Sequence, residues 1–179
     1  KIESKSDSRD STNLEILNKL MLIENKVVTL NKGYSEMYEL TSDDEKFSEP
    51  KFNNSQYTKL YTESLGSLQN NMYEPAIKGF QRLVKEDHTH DLADNAQYWL
   101  AECFYSQKDY KRAIIEFEKV FTFINTNKND DAQYKIALSY QSIGNVPKAR
   151  SEFQRLIEYF PGSEFYQQAK AALKALPIN

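Results

Sequence analysis

The chain has 179 residues, 40% of them hydrophobic and 13% aromatic, with 23 basic and 26 acidic side chains and a formal net charge of −3. Only five Gly and five Pro argue for helices over a turn-rich sandwich or barrel. The near balance of charge leaves no basic footprint for nucleic acid, no apolar run nears the roughly 18 residues that span a membrane, and a single Cys excludes an internal disulfide framework.

Residue 1 is Lys rather than Met, so processing or truncation is expected to have removed any targeting segment. Residues 1–12 (KIESKSDSRDST) have almost no apolar content and are expected to be disordered. A heptad pattern follows over 13–40. Ile16, Leu20, Ile23, Val27, Leu30, Tyr34 and Met37 alternate spacings of four and three, the a/d seam of a coiled coil. Lys19 at g and Glu24 at e are placed to pair between chains. The pattern predicts a homo-oligomerisation helix. Leu14, Leu17, Met21 and Val28 form a second stripe, which also suits a helix folded back onto its own chain. The mixed a and d residues do not choose between dimer, trimer and tetramer.

Residues 41–55 hold Asp43, Asp44, Glu45, Glu49 and Pro50 and read as a solvated linker. Residues 1–55 account for the whole net charge of −3, and 56–179 is neutral.

From 56 onward the chain repeats itself. Ala76, Ala113 and Ala149 are 37 and 36 residues apart, each followed at +4 by Phe80, Phe117 and Phe153, and at +7 by Leu83, Val120 and Leu156. Tyr61, Tyr98 and Tyr134, and the small residues Ser64, Ala101 and Ala137, recur with the same spacing. A period of this size with two helical patterns per unit indicates a tetratricopeptide-type solenoid. The fold expected is all-α: three helix pairs, with repeats at about 57–91, 94–128 and 130–162, preceded by the coiled-coil helix. Small residues let helix A and helix B of each pair approach closely. Pro161–Gly162 ends the third pair, and Ser163 is expected to cap a last amphipathic helix over 163–176 that covers the end of the stack.

The runs LADNAQYWLAECFYSQKDYKRAIIEFEKV (92–120) and YQSIGNVPKARSEFQRLIEYFPGS (140–163) resemble the repeats of the TolA-binding, cell-division coordinator family called YbgF or CpoB. The resemblance implies a periplasmic protein whose coiled coil trimerises. It implies partners of the TolA type or a peptidoglycan synthase, and a role coupling the Tol-Pal system and outer-membrane constriction to septal peptidoglycan synthesis. BamD-like envelope lipoproteins, which carry more repeats, share parts of the pattern. An envelope adaptor for another partner, such as a peptidoglycan-binding or outer-membrane assembly protein, is the alternative reading.

Such a solenoid offers the inner face of its A helices as a groove for a protein segment. In the register above, that face carries Tyr61, Leu65 and Leu68 in repeat one. It carries Asn95, Tyr98, Glu102 and Tyr105 in repeat two, and Asp131, Tyr134, Leu138 and Gln141 in repeat three. The three tyrosines suit a binding ladder; Tyr98 and Tyr134 equally suit packing between A helices, and Tyr61, near the start of the stack, is expected to pack against the linker. Trp99 is expected in the core. Asp87-His88-Thr89-His90-Asp91 holds both histidines but lacks a third converging ligand, so no metal site is expected. Cys103 has no basic neighbour in sequence and reads as inert. No catalytic constellation or cofactor motif is present, and a non-enzymatic interaction protein is expected.

Overall fold

Asn53 opens the first helix through a capping box. Its side-chain oxygen accepts from the Gln56 N–H, and Gln56 Oε1 accepts from the Asn53 N–H, both at 2.9 Å. The computed structural model describes residues 52–124 and 126–177. Seven helices follow: α1 (Asn54–Gln69), α2 (Tyr73–Glu86), α3 (Ala93–Ser106), α4 (Tyr110–Val120), α5 (Asn129–Ser142), α6 (Val146–Tyr159) and α7 (Tyr166–Ala175). No strand occurs among the described residues. The heptad residues Ile16, Leu20, Ile23, Val27, Leu30, Tyr34 and Met37, the 1–12 segment and most of the expected linker lie outside the described residues. One linker boundary is corrected. Asn54 and Ser55 are the first residues of α1 because Asn53 caps it. Phe52 packs against the core beneath the Arg82 guanidinium, 4.6 Å from its ring centroid.

Each helix packs against the next, so α1–α2, α3–α4 and α5–α6 form three pairs stacked in order, with α7 against α6. The repeated residues explain why. Ala76, Ala113 and Ala149, Phe80, Phe117 and Phe153, and Leu83, Val120 and Leu156 are all 0% exposed. Burying each of those phenyl rings is worth roughly 2–3 kcal/mol. Ser64, Ala101 and Ala137 are buried opposite them and keep the paired helices close. Gly79 marks a close approach of α2 to α1: a Cβ added there would stand 1.9 Å from Ser64 Oγ.

The turns within the pairs share one geometry. Asn71, Lys108 and Gly144 have φ of 58°, 62° and 77°. In each case the next residue (Met72, Asp109, Asn145) donates its N–H back to Ser67, Phe104 or Tyr140 O, which closes a Schellman motif. Asp109 and Asn145 then cap the following B helix with their side chains, whereas Met72 makes no side-chain cap.

The last described helix departs from the repeat. Ala169 lies 37 residues after Ala132, which lies 36 after Ala96, and all three are 0% exposed. In this register α7 is a fourth A helix. Lys174 stands where the repeats hold Ser64, Ala101 and Ala137, and it is exposed. Arg150 occupies the position of the buried Ile77 and Ile114. Its Nη1 donates to Leu173 O and Leu176 O, both at 3.1 Å, and satisfies the C-terminal carbonyls of α7. The helix expected over 163–176 begins three residues later. Ser163 accepts from the Phe165 N–H within a turn, and α7 has no side-chain cap.

Candidate interaction groove

The A helices α1, α3 and α5 line up across the repeats and form one face. Trp99 Nε1 donates to the Tyr61 hydroxyl at 2.9 Å, which ties α3 to α1. Lys135 Nζ lies 2.8 and 2.9 Å from the two carboxylate oxygens of Glu102, which ties α5 to α3. Trp99 is half-buried and stands at the edge of the core rather than inside it.

The three repeated tyrosines differ in what they offer. Each ring meets the Phe of its own repeat's B helix: Tyr61 on Phe80 at 6.0 Å, Tyr98 on Phe117 at 5.5 Å, and Tyr134 on Phe153 at 6.0 Å. Tyr98 is only 6% exposed and belongs to the core, where Trp99 covers its edge. The expected ladder of binding rings therefore loses its middle rung, because Tyr98 fills the space between α3 and α4. Tyr134 is half-buried and stacks on Phe165 at 4.5 Å. Tyr61 is held by Trp99.

The remaining groove residues stay reachable in part. Leu65, Leu68, Tyr105 and Leu138 are half-buried, and Gln141 is exposed. Tyr105 lies against Tyr110, with Lys135 Nζ 4.5 Å from its ring centroid. Asn95 is held by Asp94, whose Oδ1 accepts from both its main-chain and side-chain N–H groups. Asp131 pairs with Lys128 at 3.4 Å, and that lysine also lies over the Tyr98 ring. Burial pushes the Glu102 carboxyl above the ordinary glutamate range, and the Lys135 ammonium pulls it back.

Charge is divided between the two kinds of helix. The A helices carry five acids (Glu63, Asp94, Glu102, Asp130, Asp131) and two lysines (Lys59, Lys135), a net −3. Helices α2, α4 and α6 carry nine bases and six acids, a net +3. The zero net charge of 56–179 conceals this division.

Two features were not legible in the sequence. Gln97 Nε2 donates to the Glu116 carbonyl and carboxylate, both at 2.9 Å, and Gln133 Nε2 to those of Glu152 at 3.1 and 2.9 Å. The histidine loop joins repeats one and two. His90 stacks on Tyr57 at 3.7 Å with Nε2 2.9 Å from Asn54 Oδ1, and its Nδ1 accepts from the Leu92 N–H. His88 lies on Phe123, and burial there lowers its pKa, opposed by Asp87. Among the described residues no group of three or more His, Cys, Asp or Glu could hold a metal ion. Burial, with the Glu102 charge beside it, pushes the Cys103 thiol up to about 12, so little thiolate forms at neutral pH.

Three stacked helix pairs with alanines at the paired contacts and a phenylalanine plug define a tetratricopeptide-type solenoid. A family model described as YfiO, outer membrane lipoprotein, matches residues 53–177. The chain belongs to this family. The match supports a tetratricopeptide-type envelope family and does not support the TolA-binding assignment. Comparison with the curated proteins found no match. Solved structures share the fold. PcrH from Pseudomonas aeruginosa is 20% identical with a TM-score of 0.59, over 69% of this chain and 93% of that one. The type III secretion translocator chaperone SycD from Yersinia enterocolitica is 21% identical with a TM-score of 0.59, over 69% of this chain and 92% of that one. The second tetratricopeptide domain of human RPAP3, in complex with the HSP70 peptide SGPTIEEVD, is 15% identical with a TM-score of 0.56, over 67% of this chain and 96% of that one.

Proposed function

We propose that this chain is a non-enzymatic adaptor of the bacterial envelope that binds a segment of a partner protein along the A-helix face. The observation that carries the reading is the row Leu65, Leu68, Tyr105, Leu138 and Gln141, which stays partly open on the stack while the repeated Phe and Ala positions are fully buried. Apolar side chains left half-exposed beside hydrogen-bonding groups suit recognition of a protein segment. Fold neighbours support the same use. PcrH has been seen with the chaperone binding region of PopD, and the RPAP3 domain with a peptide.

Membership of an outer membrane lipoprotein family favours a partner at the outer membrane, as in the outer-membrane assembly reading above. A TolA-like partner, a peptidoglycan synthase and a trimeric state have no support from this match. The test replaces Tyr105 and Leu138 by Ala and compares retention of envelope proteins with melting. Lost retention with melting shifted by only a few degrees supports the reading. Unchanged retention contradicts it.

A further inference from the structure

Granted the groove role proposed above, we infer that its occupant is a cationic segment, and that Lys135 is a resident cation in the place that a partner's Arg or Lys takes. The groove has two corners of one chemistry. In the first, the Glu102 carboxylate and the Tyr105 ring hold Lys135 Nζ, with both carboxylate oxygens within 2.9 Å and the ring centroid at 4.5 Å. In the second, Lys128 Nζ lies 3.4 Å from Asp131 and 5.4 Å from the centroid of the Tyr98 ring; that ring is buried in the core, so the Asp131 carboxylate is the part of this corner that a partner reaches. An acid beside an aromatic face binds a cation by charge and by the ring quadrupole together.

Both lysines are local. Lys135 reaches across from the next repeat, and Lys128 sits in the loop before α5. Glu102 is the more enclosed acid, its side chain 14% exposed, so it needs a counter-charge whether or not a partner is bound. A partner guanidinium can take the two oxygens with two separate N–H groups in a planar fork and stack its face on Tyr105, where the Lys135 ammonium offers one nitrogen to both oxygens. Lys135, 23% exposed, then swings into solvent and recovers its hydration. The count of buried charges stays the same through this exchange. With Lys128 counted beside them, the A helices carry five acids to three lysines, a balance that favours such a segment over an acidic one. The peptide SGPTIEEVD, held by the RPAP3 domain, carries the opposite charge.

The test uses the full 179-residue chain and two short labelled peptides with the same apolar residues, one with Arg and one with Glu at its polar positions. The Arg peptide is expected to bind and the Glu peptide to fail. Glu102→Gln should weaken the Arg peptide about tenfold, the scale of one charge-assisted hydrogen bond. Lys135→Met should tighten it several-fold by removing the competitor. Tighter binding of the Glu peptide, or weaker Arg-peptide binding by Lys135→Met, overturns the cationic occupant while leaving the groove function standing. Binding of neither peptide overturns both. If either variant melts at the assay temperature, the two-peptide comparison on the unaltered chain decides alone.

Discussion

Gln97, 1% exposed, spends its amide on one residue of the facing helix: Nε2 lies 2.9 Å from both the carbonyl and the carboxylate of Glu116. Gln133 and Glu152 repeat the contact one unit later. In repeat one the same two positions hold Leu60 and Gly79. Two helix pairs are thus joined by a buried polar link, and the first by direct approach of α2 to Ser64.

Gly79→Ala is therefore expected to destabilise the chain by about 1–3 kcal/mol, because its methyl group meets Ser64 Oγ. Adding Ser64→Gly should recover part of the loss. Chemical denaturation of the single and double variants measures this. Additive effects would mean that the two residues do not share the contact.

The turns carry an opposite prediction. Lys108 holds the left-handed conformation that Asn71 and Gly144 hold more easily, at a cost of roughly 1–2 kcal/mol for a residue with a Cβ. Lys108→Gly should raise stability by about 1 kcal/mol, and Gly144→Ala should lower it by a similar amount. Met72→Asp should add about 1 kcal/mol by supplying the cap that Asp109 and Asn145 give their helices. Melting of the three variants checks the signs.

Arg150 ties α6 to the carbonyls of α7. Arg150→Ala removes both hydrogen bonds to the Leu173 and Leu176 carbonyls and should cost about 1.5–3 kcal/mol. Amide exchange should speed up first in α7 and leave α1–α4 protected. Uniform loss of protection would show that Arg150 stabilises the whole stack rather than its cap.

The helix pairs were legible because Ala76 and Phe80 recur in every unit, with Leu83, Val120 and Leu156 at the next apolar position, and one steric requirement dictates each of them. The groove was legible only in outline. Periodicity places Tyr98 on the A helix, but it cannot say that Phe117 and Trp99 enclose its ring, since that depends on how α3 and α4 meet. The Gln–Glu links recur 36 residues apart but fail in repeat one, so the pattern did not stand out. His90 docks on Tyr57 across the repeat junction, and no local spacing signals a contact 33 residues away. Lys174 and Arg150 look like ordinary charges until the register shows which repeat positions they replace.

The central claim is that the A-helix face, and not the opposite one, meets the partner. A photocrosslinking residue at Gln141, exposed on α5, is compared in living cells with one at Gln154, exposed on α6. The expected result is an adduct with an envelope protein from position 141 and none from 154. An adduct from 154 alone would contradict the groove reading.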